Sequence, residues 1–378
     1  MSHSDRPLTV GVIGGGQLAR MMIPAAIDLG IEIRMLGESA ECSASQAVTA
    51  IGEAGDADAV LAFAASDIDA ITFDHEHVPQ NVLAALVAAG AKVQPGPDAL
   101  LYAQDKLRMR SGLGELGVPM PAWTAAATTD EADAFIETHG GRAVAKTPRG
   151  GYDGKGVRVV EAASEVAEWF ERFDEVLIEE LVPFRRELSQ LVARRPSGEM
   201  RRWPLVETIQ KNGVCAEVLA PAPDADEGVI AAAANTAETI AEGLGVTGVL
   251  AVELFETTDG RVLVNELAMR PHNSGHWTQN ASVTGQFEQH LRAVLDLPLG
   301  ETAMTAPAAV MVNLLGGPDA GNITGRLASG MQTDAAAKIH TYGKASRPGR
   351  KVGHVNATGE RMQDALDRAR AVAARFDG

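Results

Sequence analysis

Two apolar runs, Gly-Val-Leu-Ala-Val-Glu-Leu-Phe at 248–255 and Arg-Val-Leu-Val-Asn-Glu-Leu at 261–267, flank Thr257-Thr258-Asp259-Gly260. An Asp-Gly turn between apolar, β-branched segments predicts an antiparallel hairpin. The pairing places Glu253 and Glu266 opposite each other on neighbouring strands. Facing carboxylates in an apolar setting call for a cation, and Mg²⁺ held by one or two carboxylates and otherwise by nucleotide phosphates is a common arrangement in phosphoryl transfer. Separate salt bridges are the alternative, which fits less well because both acids interrupt apolar strands.

The second strand runs into Asn-Glu-Leu-Ala-Met-Arg-Pro-His-Asn-Ser-Gly-His, residues 265–276. Within it Glu266 can hold a hard cation, Arg270 can grip phosphate or carboxylate with a fixed fork, and His272 can donate to an anion or move a proton. A solvated loop needs none of these in such density. The segment reads as a reaction site.

With 378 residues the chain is long enough for two or three domains. A formal charge of −17 argues against nucleic acid or an anionic membrane as the main partner, while leaving room for a local basic pocket. Cys42 and Cys215 are far apart and form neither metal-ligand spacing nor a disulfide framework, which fits a reducing cytoplasm. No uncharged apolar stretch reaches the ~18 residues a membrane span requires, and the N-terminus lacks a signal peptide's apolar region.

At the N-terminus Leu8–Ile13 is a β-branched run that turns through Gly14-Gly15-Gly16 into a helical pattern from Gln17. With Ile31–Leu36 and Ala70–Phe73 as further strands, the first hundred residues read as a doubly wound parallel α/β unit. The glycines match a dinucleotide fingerprint poorly, but such a turn binds anions at a helix N-terminus in general. His75, Glu76 and His77 follow the strand ending at Phe73, where open α/β sheets bind ligands. Adjacent residues rarely complete a zinc shell, so a Glu76 contact to a substrate hydroxyl or amine is the better expectation.

Leu100–Leu116 reads as one helix bearing Lys106, and Gly141–Lys146 as a strand ending on a lysine. Between that strand and Val157–Val160 lies Gly150-Gly151-Tyr152-Asp153-Gly154-Lys155-Gly156, a loop able to close over phosphates with Lys146 as the cation. It lacks the Gly-Lys-Ser/Thr ending of a P-loop. Glu175–Leu181 is an extended segment suited to an adenine edge, with Glu187 placed for ribose hydroxyls. Ala231–Gly243 reads as a scaffold helix, Met311–Leu314 as a strand and Met362–Phe376 as a terminal helix. Lys344, Arg347, Arg350 and Lys351 form a basic cluster in an acidic protein, which suggests an anion site.

These blocks, in order, resemble the N5-carboxyaminoimidazole ribonucleotide synthetases of purine biosynthesis, which are ATP-grasp enzymes. The resemblance rests on Gly14–Leu18, Lys146 with Gly150–Gly156, Asn265–His276 and Arg347–Lys351, and spans nearly the whole chain. It implies a mixed α/β and α+β protein: an N-terminal doubly wound parallel domain at 1–105, an ATP-grasp domain at 106–300 with a lid near 118–182, and a small β-rich domain at 301–378. It further implies that ATP phosphorylates bicarbonate to carboxyphosphate and that the amine of 5-aminoimidazole ribonucleotide is carboxylated, with ADP and phosphate released.

Under the resemblance, Lys106 and Lys146 neutralise ATP phosphates beneath a loop that includes Gly151, Tyr152, Asp153, Gly154, Lys155 and Gly156. Glu179, Glu180, Leu181 and Val182, with Glu187 and Gln210, hold adenosine. Asn265 and Glu266 also belong to the ATP site, and Glu253 and Glu266 bind Mg²⁺, two ions in this superfamily. Arg270, His272, Asn273 and Lys351 form the catalytic set, with Arg270 and His272 on bicarbonate. Gln17, Leu18, Glu76, Tyr152 and Asp153 contact the aminoimidazole nucleotide, and Lys344 with Arg350 or Lys351 its phosphate. A homodimer is also implied.

Two residues depart from the family pattern. Met269 stands where proline is usual, which bears on how Arg270 is aimed, and Lys155 stands where some members carry arginine, so a contact there would be single rather than bidentate. The same fold could serve a formate-dependent glycinamide ribonucleotide transformylase or a biotin carboxylase, but neither is expected to carry Arg270–His276 with the C-terminal basic motif. A nicotinamide-dependent dehydrogenase would rest on the N-terminal glycines alone. A nucleotide sensor would need neither Arg270 nor His272.

Overall fold

The computed structural model describes residues 6–151, 156–211, 213–317, 321 and 323–376. Strands β1 (Thr9–Ile13), β2 (Glu32–Gly37), β3 (Val48–Ile51) and β4 (Ala70–Phe73) form a parallel sheet in the order β3-β2-β1-β4. β1 and its neighbour β4 are buried along their whole length, as a parallel sheet covered on both faces requires. The chain leaves β1 through Gly14–Gly16 into the helix Gln17–Leu29. A Cβ at Gly16 would lie 1.9 Å from Asp74 Oδ2, because the Asp74 carboxylate reaches in to accept from Ala19 N at 2.7 Å.

The expected single helix at 100–116 is two helices, Pro97–Gln104 and Lys106–Glu115. Asp105 leaves helical geometry at φ −133° and ψ 111°, and its carboxylate accepts from Leu107 N and Arg108 N at 3.0 and 3.1 Å, capping the second helix. The same break docks the glycine loop: Lys106 N donates to Pro148 O at 2.9 Å, and Arg149 Nε to Asp105 Oδ2 at 2.8 Å.

Strands β5 (Trp123–Ala126), β6 (Ala143–Lys146), β7 (Val157–Val160) and β8 (Val176–Glu180) form an antiparallel sheet in the order β5-β8-β6-β7. The helix Thr129–Thr138 covers it through Ala132 and Ile136, which pack with Ala145, Trp169 and Ile178 in a core of their own.

The largest sheet has nine strands among the described residues: β9 (Phe184–Arg194), β10 (Met200–Arg202), β11 (Val206–Lys211), β12 (Val214–Ala220), β13 (Gly248–Thr257), β14 (Val262–Ala268), β15 (Ala308–Leu315), β16 (Lys338–Thr341) and β17 (Lys351–Gly359). Their order is β14-β13-β9-β11-β12-β15-β17-β16, with β10 on β9. The C-terminal strands therefore extend the central sheet through β12 and β15, which pair from Glu217↔Val312 to Ala220↔Ala309. The sheet has no break at 300/301, because apolar Val218 and Leu219 would otherwise lie on an open edge. The helix Met362–Ala373 buries Ala365, Ala369 and Val372 against Val310, Val355 and Ala357. One apolar cluster joins Phe73 and Val93 of the N-terminal unit to Met109 and Leu113 and to Leu188, Val252 and Val264 of the large sheet. That packing fixes the walls of the cleft between them.

Candidate active site

The hairpin forms as its sequence predicts: β13 and β14 are antiparallel with Glu253 opposite Glu266. Its turn closes with Gly260 at φ 83° and with Thr257 N donating to Arg261 O at 2.9 Å. The Glu253 carboxyl is held well above the usual carboxylate range, first by burial and then by the charge of Glu266. A cation between them removes both penalties, so the pair fits Mg²⁺. Among the described residues no three His, Cys, Asp or Glu side chains are grouped to hold a metal by themselves.

Cationic side chains converge on this pair from two other elements. Lys106, at the start of its helix, places Nζ 3.6 Å from Glu266 Oε1 and 3.4 Å from Gly150 O. Lys146, at the end of β6, donates to Asn265 Oδ1 at 3.0 Å and lies 2.8 Å from Glu179 Oε2. Gly150, Gly151 and Gly156 take φ of 71°, 81° and 73°, the left-handed region that glycine tolerates, and a Cβ at Gly156 would lie 2.4 Å from Thr147 Oγ1. The expectations for Tyr152, Asp153, Gly154 and Lys155 fall outside the described residues.

The adenosine expectation divides. Glu187 on β9 faces Thr208 on β11, and Gln210 hydrogen-bonds its carboxyl, which burial pushes up. Arg110 and Lys146 each bond one oxygen of the Glu179 side chain in a buried site. Glu180 N is also engaged, donating to Ala122 O at 2.9 Å. Leu181 and Val182 lie beyond the end of the strand ladder.

Past β14 the chain turns so that Arg270 and His272 face the acidic pair. Arg270 Nε donates to Glu76 Oε2 at 2.9 Å, and Met269 N to Glu76 Oε1 at 3.0 Å. Each Glu76 oxygen therefore takes one bond from the loop that carries Arg270, which leaves further acceptor capacity for a substrate hydroxyl or amine. His272 Nε2 lies 3.4 Å from Glu253 Oε1, while Nδ1 contacts Ser274 Oγ at 2.8 Å and accepts from Ser274 N at 3.4 Å. With Nδ1 accepting, the ring proton sits on Nε2, toward Glu253. Burial, then the charges of Arg270 and Lys351, hold the imidazole neutral. His272 therefore offers a donor, and fixed positive charge falls to Arg270 and Lys351. Lys351 opens β17 and lies close enough to influence both Glu253 and His272. Asn273 Oδ1 accepts from Asn313 Nδ2 at 2.9 Å, tying the loop to β15.

Basic side chains also reach the N-terminal glycine turn. Lys344 Nζ donates to Gln17 Oε1 at 2.9 Å, although 327 positions separate the two. Burial pulls the Lys344 ammonium down first, Asp74 opposes this, and Arg350 and Lys351 add to it. Arg350, half buried, donates to Ala345 O at 3.3 Å. Leu18 is buried in the core beneath this turn and offers the site only its main chain.

Sequence reasoning passed over Arg110, which is fully buried. A signal existed: Arg110 falls on the stripe formed by Met109 and Leu113, where a charge has to find a buried partner.

Comparisons with known proteins agree with this geometry. Residues 8–104 match the ribonucleotide synthetase preATP-grasp domain, 111–287 the ATP-grasp domain, and 309–368 the phosphoribosylaminoimidazole carboxylase C-terminal domain. An N5-carboxyaminoimidazole ribonucleotide synthase of Mycobacterium tuberculosis is 49% identical over 372 residues, covering 96% of this chain and 86% of the relative. One from Corynebacterium ammoniagenes is 48% identical over 388 residues, covering 99% and 93%. The Aspergillus clavatus enzyme, solved with ADP and 5-aminoimidazole ribonucleotide, is 28% identical with a TM-score of 0.87 over 98% of each chain. Fold and cleft together define an ATP-dependent ligase of the ATP-grasp class. Within that class, the chain belongs to the N5-carboxyaminoimidazole ribonucleotide synthases.

Proposed function

We propose that this enzyme carboxylates the amine of 5-aminoimidazole ribonucleotide with bicarbonate, at the expense of ATP. The observation that carries the reading is the convergence of the Glu253–Glu266 pair, Lys106, and the Arg270–His272 loop on one cleft. Lys106 and Lys146 draw the triphosphate toward β14, and Glu187 with Gln210 takes the ribose. The adenine edge pairs with main-chain groups at Leu181 and Val182. Glu253 and Glu266 would hold Mg²⁺, which supplies charge neutralisation at the phosphates.

A bicarbonate oxygen gripped by Arg270 attacks the γ-phosphorus, and ADP leaves. The carboxyphosphate so formed carries negative charge that Arg270 and Lys351 offset in a site partly closed to water. The substrate amine then attacks the carbonyl carbon, directly or after release of CO₂. The C–O bond to phosphate breaks, and the departing phosphate takes the amine proton, while His272 stays a neutral donor through Nε2. Gln17, Lys344 and Arg350 take the nucleotide's phosphate at the glycine turn. Asn273 supports the loop, and Tyr152 and Asp153 belong to the substrate contacts. A homodimer completes the reading. Among the described residues no helix is long and apolar enough to cross a membrane.

The test is ADP release with ATP, Mg²⁺ and bicarbonate, with and without 5-aminoimidazole ribonucleotide, against formate with glycinamide ribonucleotide. Stimulation by the aminoimidazole nucleotide alone is expected. Stimulation only by the control pair would move the enzyme to the transformylase branch.

A further inference from the structure

Arg110, Glu179 and Lys146 form a buried charged triad, of which the proposed substrate contacts use only Lys146. Their accessibilities are 0%, 2% and 7%. Arg110 Nε lies 2.5 Å from Glu179 Oε1, and Lys146 Nζ 2.8 Å from Oε2. Lys146 and Glu179 share a face of the lid sheet, since Glu179 registers opposite Val144, two residues before Lys146. The remaining Arg110 donors reach Val264 O and Asn265 O, both at 2.9 Å, on the strand that carries Glu266.

We infer that Arg110 is a positioning residue that neutralises Glu179, so that Lys146 keeps a net positive charge for the nucleotide. The charge balance is simple. Lys146 with Glu179 alone sums to zero, and a phosphate approaching Lys146 would also meet a carboxylate 2.8 Å from the ammonium. With Arg110 the triad carries one net positive charge in a buried setting, where water and salt screen that charge less than they would at the surface. Glu179 in turn holds Lys146 at the end of β6, toward Asn265. Arginine suits the far side because it stays charged when buried, and its planar fork serves a carboxylate and two carbonyls at once. A bolt between lid and sheet would use the same contacts but would place no demand on the charge of Glu179.

The inference rests on the reading of Lys146 as a contact for ATP phosphates. Steady-state kinetics of Arg110→Gln, Glu179→Gln, the double variant and Lys146→Gln separate the two ideas. Arg110→Gln is expected to raise the KM for ATP about tenfold, the order for loss of one charged contact, and to leave the KM for the aminoimidazole nucleotide within about twofold. Adding Glu179→Gln removes the charge that Arg110 neutralised and should bring the KM for ATP back to within about threefold of wild type. An unchanged ATP affinity in Arg110→Gln, or a loss that Glu179→Gln leaves unrepaired, overturns the inference in favour of a plain bolt. If Arg110→Gln does not fold, Glu179→Gln alone decides. It should bind ATP at least as tightly as wild type, with an advantage that shrinks as salt rises; weaker binding overturns the inference. An unchanged KM for ATP in Lys146→Gln would remove the underlying reading itself.

Discussion

The carboxylate of Glu76 holds the guanidinium of Arg270 at 2.9 Å and the neighbouring Met269 N–H at 3.0 Å, across 194 positions of chain. The strand end of the N-terminal sheet thereby aims the loop of the ATP-grasp cleft. The contact also answers the departure at Met269: a proline there would have no N–H to give, whereas this chain anchors the loop through that donor. Glu76→Gln keeps a hydrogen-bonding side chain but loses the charged partner. It should lower kcat about tenfold, in line with a weakened charge-assisted bond, with the KM for ATP unchanged. Steady-state ADP release checks this. A change confined to the KM of the aminoimidazole nucleotide would make Glu76 a direct substrate contact instead.

Arg270→Ala should lower turnover about 100-fold or more, as expected when a donor to transition-state charge is lost. ATP binding, measured by calorimetry, should stay within about twofold, because the proposed function puts Arg270 on the anion formed from bicarbonate and not on the adenosine. A parallel loss of ATP affinity would sink the assignment.

Lys344→Met should raise the KM for the aminoimidazole nucleotide about 10- to 100-fold, from a charged contact worth about 1.5–3 kcal/mol. The KM for ATP should not move, since Lys344 pairs with Gln17 at the glycine turn, away from the lid. Equal effects on both substrates would place the two proposed anion sites in one pocket.

Acid should weaken the fold well above the carboxylate range. Burial lowers His290 to about 3 and His340 to about 4, and it holds His276 and His354 well below the ordinary value. The unfolded chain takes up these protons near its ordinary histidine pKa of about 6.5, and the folded chain does not. Stability is therefore full above that pH, falls as pH drops through it, and continues to fall until the lowered folded-state values are reached. Urea midpoints at pH 7, 6 and 5 should decline in that order. A flat series would mean that these rings are solvated.

The packing behind this prediction is a stack in which His354 lies 4.8 Å from His276 and 4.5 Å from His340, with Tyr342 Oη 2.8 Å from His354 Nδ1. Of these residues only His276 belongs to the loop at 265–276 that reads as a reaction site. Aromatic content and spacing gave no sign that β16 and β17 would bring the others against it.

What the chain's order alone determined was local. Apolar runs on either side of an Asp-Gly turn put Glu253 across from Glu266, and the strand, glycine turn and helix at the N-terminus followed from short-range sterics. Such features depend on neighbours a few positions apart, so their residue types suffice. Tertiary packing decided the rest. It broke the helix at Asp105, turned Glu179 inward to Arg110, brought Glu76 to Arg270, and set Lys344 against Gln17. Each of these joins charges from distant segments, and which charges meet depends on how whole sheets stack, because a buried ion is tolerated only where the assembled fold supplies its partner.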